Sequence, residues 1–191
     1  MKQKRIQTED FFIGNLGSSE ATDELVSVCS KSIDHPDTDS YYAKVGGSKV
    51  PNYVHRKCII SWIDTTKLNF INQGLKKIVH GINLMSWKMP LDGEWDTNIQ
   101  YTRYTGEGHH YGWHKDNFQG NCSDRKLSVV YCLSKKTDYT GGEFDIRKNT
   151  NKETYTIKFD YGDFIVFPSY TMHRVRPLKS GVRSTLVGWY R

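Results

Sequence analysis

The chain has 191 residues and a mass of 22.1 kDa, enough for one domain with a sizeable core. Lys and Arg number 27 against 21 Asp and Glu, so the net charge of +6 permits an acidic partner without requiring one. The mean hydropathy is −0.66 and no run approaches the length of a membrane-spanning helix, which excludes a helical membrane protein. Aromatic residues make up 13% of the chain, which argues against disorder.

The cysteines and the N-terminus indicate the compartment. The four cysteines, Cys29, Cys58, Cys122 and Cys132, include no Cys-x-x-Cys pair, so they fit neither a structural zinc site nor a dense disulfide framework. The N-terminal stretch has no apolar segment typical of a secretory signal. We therefore expect a cytoplasmic protein with reduced cysteines and no membrane partner.

The N-terminal half carries the predicted helices. Serines 18 and 19 cap a predicted helix over about 20–32. Residues 35–51 are rich in Asp, Ser, Gly and Tyr, which predicts a loop or an exposed hairpin, and residues 57–63 are a predicted strand. Apolar residues at positions 68, 71, 75, 78 and 79 have helical spacing, so a second helix is predicted over about 65–84.

From about residue 98 the pattern changes to short strands separated by turns. The segments rich in β-branched or aromatic residues are 98–105, 127–134, 143–148, 154–159, 163–167, 172–177 and 182–190. So many closely spaced strands predict an antiparallel sandwich or jelly roll, mainly β, with the helices packed on the outside of one sheet.

One segment, residues 104–117, carries candidate metal ligands. His114 and Asp116 are two residues apart, so in an extended chain both side chains point to the same side and can reach one cation. His173, which opens a later predicted strand, is the candidate third ligand. Two histidines and one carboxylate form the facial triad that leaves open positions on Fe(II) for a chelating cosubstrate and O2. The His-x-Asp pair alone is a weak motif, because any strand end with a surface His and Asp produces it.

Arg183 follows His173 by ten residues across a predicted turn. A hairpin that pairs residue 173 with 185 would place His173, Arg183 and Thr185 on one face. Arg183 could then form two parallel hydrogen bonds to a carboxylate, with a third from Thr185, which fits a dicarboxylate such as 2-oxoglutarate. In the alternative interpretation Arg183 is a rim arginine on a basic strand, together with Arg174 and Arg176.

These residues resemble the Fe(II)- and 2-oxoglutarate-dependent dioxygenases, specifically the prolyl 4-hydroxylase-like, hypoxia-type branch. The resemblance covers roughly 98–191 and is thinner upstream. The matching segments, in order, are Tyr104 and Tyr111 before His114-x-Asp116, residues 127–134, Gly141-Gly142-Glu143-Phe144, residues 161–169, His173-x-Val175-x-Pro177 and Gly181-x-Arg183 followed by Trp189.

The resemblance implies a double-stranded β-helix (jelly-roll) core over about 98–191, supported by residues 1–97, in a single domain spanning 1–191. It implies His114, Asp116 and His173 as iron ligands, and Arg183, Tyr104 and Thr185 as residues that bind 2-oxoglutarate. Cys132 is a departure, because some hypoxia-type enzymes carry a tyrosine there that helps to hold the cosubstrate. Residues 34–52 would correspond to the family's mobile substrate loop.

The implied reaction consumes Fe(II)-bound 2-oxoglutarate and O2, hydroxylates a substrate C–H and releases succinate and CO2, with ascorbate as reductant. A prolyl residue in a peptide or protein is the expected substrate. A free amino acid or small metabolite is a second possibility, and a catalytically silent jelly-roll binding module is a third. Nucleic-acid demethylases of this family carry a second arginine six residues after the first, where this chain has Trp189, which argues against nucleic acid.

Several further residues are open candidates. Trp189, Arg125 and Tyr111 are candidate substrate contacts, and Trp113 could also line the pocket. His109 and His110 could be extra ligands, although a solvated mobile loop is the favoured interpretation. The basic set of Arg174, Arg176, Lys179 and Arg191 is interpreted as a solvated face. The sequence does not fix the oligomeric state.

Overall fold

The computed structural model describes residues 6–16, 19–34, 41–42, 52–68, 71–92, 98–118 and 122–191. The predicted loop over 35–51 lies outside these residues except for Tyr41–Tyr42, so the expectation of a mobile substrate loop is not addressed by them. Within the described residues, no helix has the length and apolar character needed to cross a membrane.

The described chain contains two α-helices and fifteen strands. The helices are α1 (Ser19–Asp34) and α2 (Lys76–Ser86). The strands are β1 (Ile6–Gln7), β2 (Phe12–Asn15), β3 (Tyr41–Tyr42), β4 (Arg56–Lys57), β5 (Ile59–Asp64), β6 (Asn98–Tyr104), β7 (His110–His114), β8 (Leu127–Cys132), β9 (Tyr139–Gly141), β10 (Phe144–Arg147), β11 (Thr154–Ile157), β12 (Asp163–Pro168), β13 (His173–Val175), β14 (Leu178–Gly181) and β15 (Arg183–Tyr190).

The second predicted helix is shorter than expected. Residues 65–84 contain a 3-10 turn over Thr65–Lys67 and a π-helical turn over Ile71–Leu75, and only then α2. The Asp64 carboxylate accepts hydrogen bonds from the backbone N–H and the hydroxyl of Thr66, at 2.9 and 2.8 Å, which begins the tight turn. Leu68 then leaves the helical region with φ −125° and ψ 66°, so the helical spacing does not produce one continuous helix.

The strands form two facing antiparallel sheets, as a jelly roll requires. The main sheet has the order β1-β2-β12-β8-β15-β6-β5-β3, and the minor sheet has the order β11-β10-β13-β7-β4. A separate two-stranded ribbon pairs β14 with β9. The predicted fold class, a mainly β jelly roll with flanking helices, is confirmed.

Two buried clusters account for the layering. The outer cluster lies between the helices and the main sheet and joins α1 and α2 residues such as Leu25 and Val79 to sheet residues such as Tyr101, Val129 and Leu186. The inner cluster lies between the two sheets. Every residue of β8 and β12 is buried, because these central strands are covered on both faces.

Short strands account for most of the differences from the prediction. Strands β1, β2, β7, β9 and β14 were not predicted, and β2 extends the main sheet by pairing with β12. The predicted hairpin between residues 173 and 185 is wrong: β13 belongs to the minor sheet, whereas β15 belongs to the main sheet between β8 and β6. The turn at residues 176–182 instead carries β14, which pairs with β9 and carries the chain from one sheet to the other.

Candidate metal centre

Three side chains of the predicted ligand set converge at the end of the minor sheet. His114 ends β7 and His173 begins β13, and the two residues are directly paired between these neighbouring strands. Asp116 Oδ1 lies 3.6 Å from His114 Nε2, and Asp116 Oδ2 lies 3.6 Å from His173 Nε2. The donor atoms of all three residues lie within 4.8 Å of one another, so a single cation can contact all of them.

Hydrogen bonds orient these side chains for metal binding. The Nδ1 atoms of His114 and His173 lie 2.9 Å from the backbone carbonyls of Gly112 and Thr171, which accept the Nδ1–H bond. This tautomer leaves the Nε2 lone pair of each ring free to bind a metal. The Ser128 hydroxyl donates to Asp116 Oδ2 at 2.6 Å.

The charges of His114 and Asp116 suit the binding of a cation. Burial, followed by the neighbouring His173 ring, lowers the pKa of His114 well below its usual value, so the imidazole is neutral. Burial raises the pKa of Asp116, but the two imidazoles and the Ser128 hydroxyl outweigh it, so the pKa lies below its usual value. Neutral imidazoles and an ionised carboxylate are the forms that bind Fe(II), and the donor set matches the facial triad of non-haem iron.

A buried arginine without a partner faces the space between the sheets. Arg183 is 1% exposed, and none of its three guanidinium nitrogens has a partner in hydrogen-bonding geometry. Burial raises the pKa of the Tyr139 hydroxyl, and Arg183 lies close enough to that hydroxyl to lower its pKa in part. Its guanidinium carbon lies 5.4 Å from the centroid of the Tyr104 ring, and Tyr104 is the residue directly opposite on β6. An unpaired buried cation is costly, so this position is suited to an anion that the chain itself does not supply.

The Gly141-Gly142 turn makes room for this arginine. Both glycines have positive φ, 74° and 63°, which side chains rarely adopt. A Cβ at Gly142 would lie 3.1 Å from Arg183 Cδ, tighter than an ordinary contact.

The triad and Arg183 border the same inner cluster from facing sheets. The His173 ring packs on Phe144 and Phe167, with centroids 5.5 and 4.7 Å apart. Phe144, Phe167 and Tyr104 all belong to the inner cluster, and Tyr104 is in contact with Arg183. An anion on the guanidinium would therefore lie in the same inter-sheet space as a metal on the triad.

Residues 99–191 match the family model of the 2OG-Fe(II) oxygenase superfamily. This part of the chain is a 2OG-Fe(II) oxygenase domain. The family implies Fe(II), 2-oxoglutarate and O2 as the reacting partners of such a domain. The triad and the unpaired guanidinium both lie inside the matched residues.

Curated relatives of the oxygenase domain include PKHD-type hydroxylases. One from Synechococcus sp. (strain CC9902) is 39% identical over 84 residues, which are 44% of this chain and 36% of the relative. Another, from Prochlorococcus marinus (strain MIT 9515), is 34% identical over 115 residues, which are 60% of this chain and 49% of the relative. The matches thus span less than half the length of these relatives.

Solved structures with the same fold include two prolyl hydroxylases. A prolyl-4-hydroxylase of Pseudomonas putida superposes with a TM-score of 0.75 at 19% identity, covering 96% of this chain and 93% of that one. A prolyl hydroxylase of Trichoplax adhaerens, solved with a hypoxia inducible factor peptide fragment, has a TM-score of 0.78 at 20% identity, covering 96% and 84%. At these identities the likeness shows the fold.

Three candidate substrate residues of the oxygenase domain lie beside the triad. The Tyr111 ring stacks on His114 with centroids 3.5 Å apart. Trp189 is 4% exposed, and its indole lies close enough to Asp116 to help lower the pKa of that carboxyl. The indole N–H nevertheless makes no hydrogen bond of good geometry. The Arg125 guanidinium lies 3.6 Å from the centroid of the Trp189 ring, and Trp62 packs on the same indole at 6.1 Å.

Thr185 shares a face with Arg183, as predicted, but not with His173. It is buried on β15, one strand position from Arg183 on the same face, and pairs with Thr102 on one side and Cys132 on the other. It shares the main sheet with Arg183, whereas His173 lies on the facing sheet. The three residues surround a common space across the sandwich instead of sharing one hairpin face.

The interpretation of His109 and His110 as a solvated mobile loop is wrong. His109 is 6% exposed, and its Nδ1 accepts a hydrogen bond from the Thr105 backbone N–H at 3.2 Å. His110 bonds to the carbonyls of Gly108 and Val54 at 2.8 and 3.0 Å. These hydrogen bonds hold both side chains within the fold, and neither residue belongs to the triad.

The alternative that groups Arg183 with Arg174 and Arg176 is also wrong. Arg174 and Arg176 each donate an Nε–H bond to the buried Asp145 carboxylate, at 2.7 and 2.8 Å. The same carboxylate accepts a hydrogen bond from the Thr156 hydroxyl at 2.8 Å. Arg183 lies on the other sheet and is fully buried. Trp113 also lies on this outer side, with the guanidiniums of Arg147 and Arg174 over its ring at 4.1 and 4.7 Å, so it does not line the pocket.

The sequence prediction missed Ser128, Gln100 and Arg56. Ser128 is the second residue of a fully buried strand and precedes two valines, and no motif marks its hydroxyl as a partner of Asp116. Arg56 is 7% exposed although it stands among polar residues, where a surface position would be expected. Gln100 is 6% exposed and binds Arg56 across strands that are far apart in the sequence.

Proposed function

We propose that this chain is an Fe(II)- and 2-oxoglutarate-dependent oxygenase that hydroxylates a C–H bond of its substrate. In the overall reaction, 2-oxoglutarate, O2 and the substrate C–H are converted to succinate, CO2 and the hydroxylated product. The observation that carries the proposal is a three-ligand site that shares an inter-sheet space with an unpaired buried guanidinium. When bound, the iron and its cosubstrate supply the oxidising chemistry.

The chain's own residues bind and orient the reactants. His114, Asp116 and His173 would hold the iron, and Ser128 orients the Asp116 carboxylate. Arg183 binds the distal carboxylate of 2-oxoglutarate through two parallel hydrogen bonds. The aromatic walls of the inner cluster exclude water, which strengthens this charge pair.

Tyr104 and Thr185 complete the proposed cosubstrate site. Tyr104 lies opposite Arg183 on β6, and Thr185 follows Arg183 by two residues on β15. Both are nearly fully buried. Each offers a hydroxyl to a carboxylate that Arg183 binds. Cys132, directly beside Thr185 on β8, donates its thiol to the Ser134 carbonyl at 3.3 Å, so its S–H is already used.

We propose a prolyl residue of a peptide or protein as the substrate. Tyr111 and Trp189 lie beside the triad and supply flat apolar surfaces suited to a five-membered ring. The Arg125 guanidinium stacks on the Trp189 ring, and we propose that it contacts peptide backbone carbonyls. The structural neighbours from P. putida and T. adhaerens are prolyl hydroxylases, which supports the same substrate class. We further propose ascorbate as the reductant and the cytoplasm as the location.

The test is to incubate the purified chain with Fe(II), ascorbate and 2-oxoglutarate and to measure succinate by NMR. We expect succinate formation, and loss of it in His173→Ala. Arg103→Met is the matched control, because Arg103 precedes Tyr104 on β6 and faces the opposite side of the sheet. A chain that neither binds iron nor forms succinate would instead be a binding module.

The substrate class is tested by mass spectrometry of proline-containing peptides and, in parallel, of free amino acids added to the same reaction. We expect an added oxygen on proline that depends on 2-oxoglutarate. Addition of oxygen only to free amino acids would replace the prolyl-peptide proposal with the metabolite alternative.

A further inference from the structure

A second buried arginine lies beside the proposed iron site. Arg56, on the edge strand β4, is 7% exposed. Its Nη2 donates to Gln100 Oε1 at 2.5 Å, and its Nε donates to Cys58 Sγ at 3.2 Å. Both partners are neutral, and within the residues that the structure describes no carboxylate forms an ion pair with Arg56.

Aromatic contacts connect Arg56 to the triad. Its guanidinium carbon lies 4.2 Å from the centroid of the Tyr111 ring, and the same ring stacks on His114. Gln100 alternates with Ile99 and Tyr101 of the outer cluster, so its side chain shares the inner face of the main sheet with Tyr104. The guanidinium of Arg56 and the ligand His114 therefore contact the same tyrosine ring.

Charge balance in the loaded site leaves Arg56 unpaired. Iron brings two positive charges, and the two buried arginines bring one each. Asp116 brings one negative charge and 2-oxoglutarate brings two, while an imidazole that binds a metal is neutral. One positive charge remains in a buried region, where an uncompensated charge is costly. The iron and the cosubstrate are accounted for by the triad and Arg183, so Arg56 is the cation without a counter-ion.

We propose that Arg56, held in place by Gln100 and Cys58, binds a carboxylate of the substrate. This inference rests on the proposed function, and it narrows the substrate class to anionic prolyl compounds. The carboxylate has two possible sources: the α-carboxylate of a terminal proline or an acidic side chain next to an internal proline. Arg56 is thus a specificity-determining residue, whose contact places the reacting C–H next to Tyr111 and the metal.

The contacts of Arg56 favour this role over a structural one. A buried charge in a fold ordinarily has a partner of opposite charge, as the fully buried Asp145 carboxylate has in the partly exposed Arg174 and Arg176. Arg56 has instead an amide, a thiol and an aromatic ring, which orient the guanidinium without neutralising it. Such an arrangement keeps a cation available for a ligand.

The test measures binding by calorimetry to the full chain loaded with redox-inert Mn(II) and 2-oxoglutarate. Four prolyl ligands form two matched pairs: N-acetylproline against N-acetylprolinamide, and acetyl-Pro-Asp-amide against acetyl-Pro-Asn-amide. We expect one acidic ligand to bind at least tenfold more tightly than its neutral match, about 1.4 kcal/mol. The pair that shows the preference identifies the source of the carboxylate.

Variants assign the preference to Arg56. Arg56→Gln should reduce the acid-to-neutral ratio to near one, and Arg56→Lys should retain part of it, because the charge is kept and the planar fork is lost. Arg103→Gln removes a charge from the other face of the main sheet and should leave the ratio unchanged. Retention of the full ratio in Arg56→Gln would overturn the assignment.

Other outcomes separate this inference from the proposed function. Equal or undetectable binding of both members of each pair to the wild type would overturn it without any variant. Loss of 2-oxoglutarate binding in Arg56→Gln, with the ratio unchanged, would assign Arg56 to the cosubstrate. If the wild type forms succinate but shows no acid preference, only this inference fails. If it forms no succinate and binds no 2-oxoglutarate, the proposed function fails.

Discussion

Replacing Arg183 with methionine should affect the empty and the loaded protein in opposite directions. Without a ligand, the guanidinium is 1% exposed and all three of its nitrogens lack hydrogen-bond partners. Replacing buried ionic groups with apolar side chains of similar volume is often neutral or stabilising, by about 1–4 kcal/mol. We therefore expect the free energy of unfolding of Arg183→Met without 2-oxoglutarate to be unchanged or increased.

Binding of 2-oxoglutarate should fall sharply in the same variant. Leaving the distal carboxylate buried without its cation costs about 3–5 kcal/mol, more than a hundredfold in affinity. At a hundred times the dissociation constant, a ligand stabilises the protein by about 2.7 kcal/mol, which raises Tm by about 5–11 °C for a chain of this size. The same concentration should raise the Tm of Arg183→Met by about 1 °C or less.

The assay is thermal unfolding of the Mn(II)-loaded protein with and without 2-oxoglutarate. Arg103→Met is the matched control, and its ligand-induced shift should equal that of the wild type. A variant Arg183→Met that loses several kcal/mol of stability while retaining the full 2-oxoglutarate shift would refute the reasoning. Arg183 would then be a structural residue, and the cosubstrate would bind elsewhere.

Three further substitutions test the surroundings of the site. Ser128→Ala removes the hydroxyl that orients Asp116 and should weaken Fe(II) affinity by about 10–100-fold in a competition titration with a chelator. Burial raises the pKa of Asp145, but the hydrogen bonds from its two arginines and a threonine outweigh it and hold the pKa below its usual value. Its contribution to stability is therefore complete above about pH 4 and is lost as the pH falls further, so the acid-induced loss measured by urea unfolding should be smaller in Asp145→Asn. Gly181→Ala would place a Cβ 2.0 Å from the Asp138 carbonyl oxygen at φ 81°, and should lower the free energy of unfolding by at least about 1–3 kcal/mol.

Each of these has a control and a contrary result. The control for Ser128→Ala is Ser134→Ala, which removes a hydroxyl that bonds only to backbone groups and should leave iron affinity unchanged. Equal iron affinity in Ser128→Ala would show that Asp116 needs no orienting bond. The Asp145 reasoning is wrong if the variant and the wild type lose stability equally between pH 5 and pH 3. Unaltered urea unfolding of Gly181→Ala would mean that the ribbon of β9 and β14 shifts without cost.

The strands of the C-terminal half could be predicted because their pattern is local. Each of the predicted strands from residue 98 onward is present within a few residues, since β-branched and aromatic runs end at Gly, Asn or Asp. The four-residue strand β2 and the His-rich strand β7 have no such pattern. They are strands because β12 and β4 supply their hydrogen-bond partners, which are distant in the sequence.

The members of the candidate site could be predicted more readily than their arrangement. The order of His114, Asp116, His173 and Arg183 resembles a family pattern, so the four residues could be selected from the sequence. Their arrangement across two sheets could not, because ten residues between His173 and Arg183 suit a hairpin as well as a crossover. Arg56 carries no sequence signal, since its burial results from contacts with Gln100 and Tyr111.

The placement of β2 and β5 bears on how the protein can be cut for experiments. The residues that match the family model begin at position 99, but β2 and β5 lie before it. Strand β2 pairs along one edge of β12, and β5 pairs along one edge of β6. A fragment starting at position 99 would leave three strand edges unpaired, on β12, β6 and β7, and would uncover the apolar face on which α1 and α2 pack. Such edges recruit other chains, so expression of the matched fragment alone should yield aggregates.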